Sequence, residues 1–268
     1  MSNTITITPK SVAAIALPIL QNILAPASRF CTVIPTPSRP GKVQEVPLIS
    51  VVHDTLVDTA TFEPQDCSIN PITATPHRYT QIFGIGNVDN QSGAELGWLV
   101  QANVEKFANT LADAIMAIVT EANFGAPIVE IGAAAFGQAE VETMLAAFSG
   151  NRSLILDTPF WARVKPTMLP PGFTNVFEHG RWSTAGANIR GLVADPRAIV
   201  LCTGLPDAWD VRSKTGFVRE VVKIPGLGLD VEVATWPIVG TRALNASFDV
   251  FLSPNVANAN ALRLLKSA

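Results

Sequence analysis

The chain has 268 residues, 48% of them apolar and only 15% charged, with a net charge of −3, a pI of about 5.6 and a mean hydropathy of +0.29. An average soluble domain carries roughly 25% charged residues, so the composition suits either a membrane protein or a chain that buries much of its surface against other chains. The slightly acidic balance gives no basic field to recommend nucleic acid as a direct partner, and three widely spaced cysteines, Cys31, Cys67 and Cys202, are neither a disulfide framework nor a zinc site.

Residues 1–42 begin with a polar, Thr-rich stretch that lacks the basic and apolar regions of a signal peptide. Ile15, Ile19 and Ile23 recur at helical spacing, but Pro18 restricts any helix there to short pieces. Pro26, Pro35, Pro37, Pro40 and Gly41 then argue against compact folding, and the segment reads as an arm strapped along another molecule.

Residues 46–86 read as a long hairpin. In the outgoing arm Thr55, Val57, Thr59 and Thr61 alternate with Leu56, Asp58, Ala60 and Phe62; turn formers follow over 64–70, and the return arm carries Thr73, Thr75, Tyr79, Ile82 and Phe83. An isolated hairpin is marginal in water, so this one is expected to lie on a neighbouring subunit.

The strongest local signal comes next. Ser92 and Glu95 fit a capping box, and Leu96, Leu99, Val104, Phe107, Leu111, Ile115, Ile118 and Val119 follow mostly at helical spacing up to Phe124-Gly125. A single helix over 92–124 would be a rod of roughly 45 Å. Gln101, Asn103, Glu105, Lys106, Asn109 and Asp113 interrupt it, whereas a membrane span needs about 20 predominantly apolar residues. The low charge therefore points to oligomer interfaces.

The rest reads as a mixed α/β unit: a helix over 139–148, a strand over 153–157, a short helix over 158–165, a loop-rich stretch over 166–191 and a buried strand over 197–203. Three strands are expected at 217–224, 229–237 and 242–252, and a terminal helix at 255–265.

Catalytic chemistry finds little support. His53, His77 and His179 read as surface or interface residues, since His53 and Asp54 would face opposite sides of a strand. Cys202 sits in an apolar run and reads as a buried structural thiol. Gly84-Ile-Gly86 lacks the third glycine of a dinucleotide loop, and Pro225-Gly-Leu-Gly228 reads as a turn. Asp54, Asp58 and Glu63 read as acids that keep a hairpin soluble rather than as metal ligands.

The order of arm, hairpin, long helix, α/β region and late strands resembles the Hong Kong 97-type major capsid proteins of tailed bacteriophages. The resemblance is carried by the helix over 93–124, by Ser153-Leu-Ile-Leu-Asp-Thr-Pro-Phe-Trp-Ala-Arg163, and by Phe217-Val-Arg-Glu-Val-Val-Lys-Ile-Pro-Gly-Leu-Gly-Leu-Asp-Val-Glu-Val-Ala-Thr-Trp236. It implies an α+β fold with an N-arm (1–42), an E-loop hairpin (43–90), a P-domain holding the spine helix and late strands (91–130 and 217–268) and an α/β A-domain (131–216). It further implies a structural protein without enzyme activity or cofactor, which self-assembles through pentamers and hexamers into an icosahedral shell around double-stranded DNA. Such a virion component, built in the host cytoplasm, works with a portal, a scaffolding protein and a cement protein, binds the packaged DNA without sequence specificity and needs no membrane. A nanocompartment of the encapsulin type, enclosing protein cargo, is the nearest alternative, and an α/β enzyme the distant one.

Charge along the chain suggests how neighbours meet. The hairpin carries Asp54, Asp58, Glu63 and Asp66 against one base, Arg78, while Arg212, Lys214, Arg219 and Lys223 cluster around the first late strand. The acidic hairpin of one subunit is expected to lie across this basic region of the next.

Overall fold

The computed structural model describes residues 7–35, 43–49, 69–86, 93–148, 151–206, 216–238, 240–241 and 243–268. The chain enters with helix α1 (Pro9–Leu24), whose start is fixed by Thr8: its hydroxyl accepts from the Ser11 amide at 3.2 Å while Ser11 Oγ accepts from the Thr8 amide at 3.0 Å. Val12, Ala13, Ala16, Leu20 and Leu24 form a buried stripe at helical spacing. Pro18 does not break the helix. It lies on the exposed side, as does Ala14, whose carbonyl loses its helical donor to the proline ring and meets water instead. The expected strap is thus, over 7–35, part of the protein's own core.

Strands β1 (Cys31–Pro35), β2 (Gln44–Ile49), β3 (Ile69–Ala74) and β4 (His77–Ile85) precede helix α2 (Gly93–Met116). The β2–β3 pair is the root of the expected hairpin, antiparallel from Gln44↔Ala74 to Ile49↔Ile69. In α2, Leu96, Val100, Val104, Phe107, Leu111 and Ile115 make the apolar stripe. The stripe is covered from two sides, by α1 and by the strands β4 and β12 (Leu244–Val256).

The spine helix ends at Met116 rather than at Phe124. Two side interactions take the carbonyls that would have continued it: Asn123 Nδ2 donates to Ile118 O at 2.7 Å and the Gly186 amide to Val119 O at 2.9 Å. Thr120 then caps a separate turn, α3 (Glu121–Phe124). After β5 (Val129–Glu130) come α4 (Gln138–Ala146), β6 (Ser153–Leu156), the one-turn helix α5 (Thr158–Trp161), β7 (Val176–Glu178), β8 (Ile189–Ala194) and β9 (Ile199–Gly204). Then follow β10 (Val218–Lys223), β11 (Asp230–Pro237), β12 and β13 (Leu262–Lys266). Between β10 and β11 the Pro225–Gly228 turn forms as expected, with Gly226 and Gly228 at φ 82° and 78°, where a side chain would be strained.

Two sheets organise these strands. The larger runs β1-β9-β12-β11-β10, with β4 beside the first part of β12, and rests one face on α1 and α2. The second runs β5-β13-β8-β6-β7 and is buried on both faces: Ile155, Leu192, Leu262 and Leu264 join the main core, while Leu154, Leu156, Val193 and Leu265 join a second core under α4 and α5. The C-terminal segment, expected to be helical, is therefore a strand. Leu262 and Leu264 point to one core and Leu265 to the other, an arrangement only a pleated chain allows.

Candidate assembly interface

Strands β4, β12, β11 and β10 lie side by side, and their registers align one polar row across the sheet. Thr80 faces Asp249, Asp249 faces Glu232, and Glu232 faces Val221. The preceding residues Phe248 and Val233 point the other way, into the core, so the charged side chains occupy the face opposite α2. Both acids are only 4% exposed. Each has its own arginine: Arg78 Nε donates to both Asp249 oxygens at 3.0 Å with Thr80 Oγ1 adding a bond at 2.9 Å, and Arg219 Nη1 donates to Glu232 Oε2 at 3.1 Å. Burial raises the Glu232 carboxyl above the ordinary glutamate range; Arg219 opposes the shift and the neighbouring Asp249 charge adds to it.

Of the residues expected to hold subunits together, Arg219 and Lys223 are described. They share the outer strand β10 and, four residues apart, one face of it. Lys223 stands well exposed, 4.0 Å from Asp230, and Arg219 keeps part of its side chain in solvent beside Glu232. Asp54, Asp58, Glu63, Asp66, Arg212 and Lys214 lie outside the described residues. Sequence reasoning missed Glu232, Asp249 and Arg78 as partners. The signal was a single acid inside each of two apolar strands, Val231-Glu-Val and Phe248-Asp-Val, since a buried carboxylate requires a base.

The remaining chemistry-bearing groups are built into the fold. His179 is buried rather than at the surface: its amide donates to Leu156 O at 2.9 Å, its carbonyl accepts from the Trp182 indole, and its ring meets Trp182 edge-on at 6.1 Å. Burial, with the nearby Arg181 charge, pushes the imidazole down to about 4, against a weaker pull from Asp113. Cys31 and Cys202 are buried free thiols held above the usual thiol range by desolvation, while Cys67 and His53 lie outside the described residues. A groove of about 500 Å³ beside α4 is lined mainly by Leu145, Phe148, Met168, Leu169 and Pro170, with Glu142 and Arg152 as its charged groups. Among the described residues no three His, Cys, Asp or Glu side chains come together as a metal site, and no helix is long and apolar enough to cross a membrane.

No family sequence model and no curated protein sequence matches the chain. Solved structures do. A virus-like particle from Pyrococcus furiosus superposes with a TM-score of 0.54 at 9% identity, over 96% of this chain and 98% of that one. The capsid of an empty GTA particle gives 0.51 at 14% identity, over 100% and 94% of the two chains. The structure of Gordonia phage Cozz gives 0.51 at 14% identity, over 92% and 86%.

Proposed function

We propose that this chain, which has the Hong Kong 97-type capsid fold, is the major subunit of a bacteriophage shell that closes through pentamers and hexamers around double-stranded DNA. The observation that carries the reading is the extent of the likeness: a capsid subunit is matched from one end of this chain to the other and over 94% of its own length. The composition supports it, because a chain with 15% charged residues suits burial over several subunit contacts. The acids Asp54, Asp58, Glu63 and Asp66 of one subunit then meet Arg212, Lys214, Arg219 and Lys223 of the next. A pair of this exposed kind contributes about 0–1 kcal/mol, so the contact sets register more than strength. A portal, a scaffolding protein and a cement protein complete the assembly.

Electron microscopy of the purified protein tests the reading, with closed shells expected and a small discrete oligomer overturning it. A second reading, a nanocompartment around protein cargo, is favoured by the likeness to the virus-like particle. Nuclease-protected double-stranded DNA in particles from the natural producer supports the first reading, and a co-purifying protein cargo without DNA the second.

A further inference from the structure

We infer that the free edge of β10 is a strand-docking site for a second copy of this chain, whose segment 55–62 adds beside it as a further strand of the sheet. The inference rests on the shell reading and gives its hairpin contact a chemistry. Among the described residues β10 is paired on one side only, along Val218–Lys223 with β11. An outer strand presents a row of unpaired backbone donors and acceptors, a template for another chain. Five of its six residues are exposed, and Val218 (54%) and Val221 (46%) are two of the six large apolar side chains exposed among the described residues. An edge meant to stay in water is usually blunted. Here Arg219 and Lys223 flank Val221 on one face, which discourages an arbitrary apolar strand and favours one that carries acids.

Segment 55–62 has that character. Its alternation puts Leu56, Asp58, Ala60 and Phe62 on one face and Thr55, Val57, Thr59 and Thr61 on the other. The first row complements Arg219, Val221 and Lys223, with an acid to meet a base and apolar side chains to cover the valine. Asp54 and Glu63 flank the segment with further negative charge. In strand addition the main chain supplies affinity and the alternating side chains specificity. The occupant is a second copy because the chain's own hairpin root packs beside β9, where Ile72 and Ala74 meet Val200 and Cys202. Strands β12 and β11 separate that place from β10.

Cysteine pairing in assembled particles tests this. In a Cys67→Ser background, Val221→Cys is combined with one cysteine at a time across positions 54–63; Cys31 and Cys202 remain, both buried. Particles are verified by electron microscopy, oxidised and run on a denaturing gel. Disulfide-linked dimers that are strong at every second position are expected. Intact shells that give no dimers, equal yields at all positions, or a disulfide inside one chain overturn strand addition and leave the shell reading standing. Failure of the parent Cys67→Ser chain, and of the unaltered protein, to form shells overturns the shell reading and this inference with it.

Discussion

The Phe107 ring reaches from α2 to within 5.8 Å of Phe248 on β12, which in turn stacks at 5.8 Å on Phe83 of β4. Three elements therefore share one aromatic cluster, and Phe107 is 2% exposed within it. Phe107→Ala should cost about 3–5 kcal/mol, read as a lower midpoint in chemical unfolding of unassembled protein. His179 gives a second expectation at this scale. Its folded-state value of about 4 lies below the ordinary 6.5, so between these two pH values the unfolded chain takes up a proton that the folded chain refuses. The contribution is fully present above pH 6.5 and is lost as the pH falls towards 4, by roughly 3 kcal/mol in all. Urea unfolding at pH 7.5 and 4.5 should show this loss in the unaltered protein and a smaller loss in His179→Gln.

Among elements, α1 is the most informative. Were it a strap on another subunit, Leu20→Ala would leave the protomer's stability unchanged and weaken only assembly. Packed as it is, with Leu20 fully buried in the main core, the same change should cost about 2–5 kcal/mol in the protomer itself, measurable by thermal or chemical unfolding. The helical spacing was legible in the sequence, but its destination was not, because a proline on the solvent side reads the same as one that breaks a helix. The spine and the three late strands were legible from periodicity alone. Strand β8 was hidden by Gly191, which looks like a loop residue; its missing side chain lets β6 and β13 close in, since a Cβ there would stand 2.8 Å from Leu156 Cδ2. Strand β13 was hidden because Leu-Arg-Leu-Leu-Lys suits a helix, and only a sheet buried on both faces makes it extended. At the interface the bases Arg219 and Lys223 were visible, whereas the ion pair of Arg219 with Glu232 depends on the β10–β11 register.

At the scale of the whole molecule, the chemistry available to the assembly is limited by what the hairpin lacks. No lysine occurs between Lys42 and Lys106, so this hairpin has no amine for the isopeptide cross-link that some relatives of the resembled family form there. Particles boiled in detergent should release subunits of 28.5 kDa, and a ladder of covalent multimers would contradict this. The second sheet carries a further consequence. Strand β13 holds an interior place between β5 and β8, yet it follows every other described strand in the chain. A nascent polypeptide therefore carries a gap in that sheet, open to both cores, until residues 262–266 have left the ribosome. Stalled chains that end before them should be readily digested by protease, and polymerisation on polysomes, where many copies are crowded together, is deferred until release.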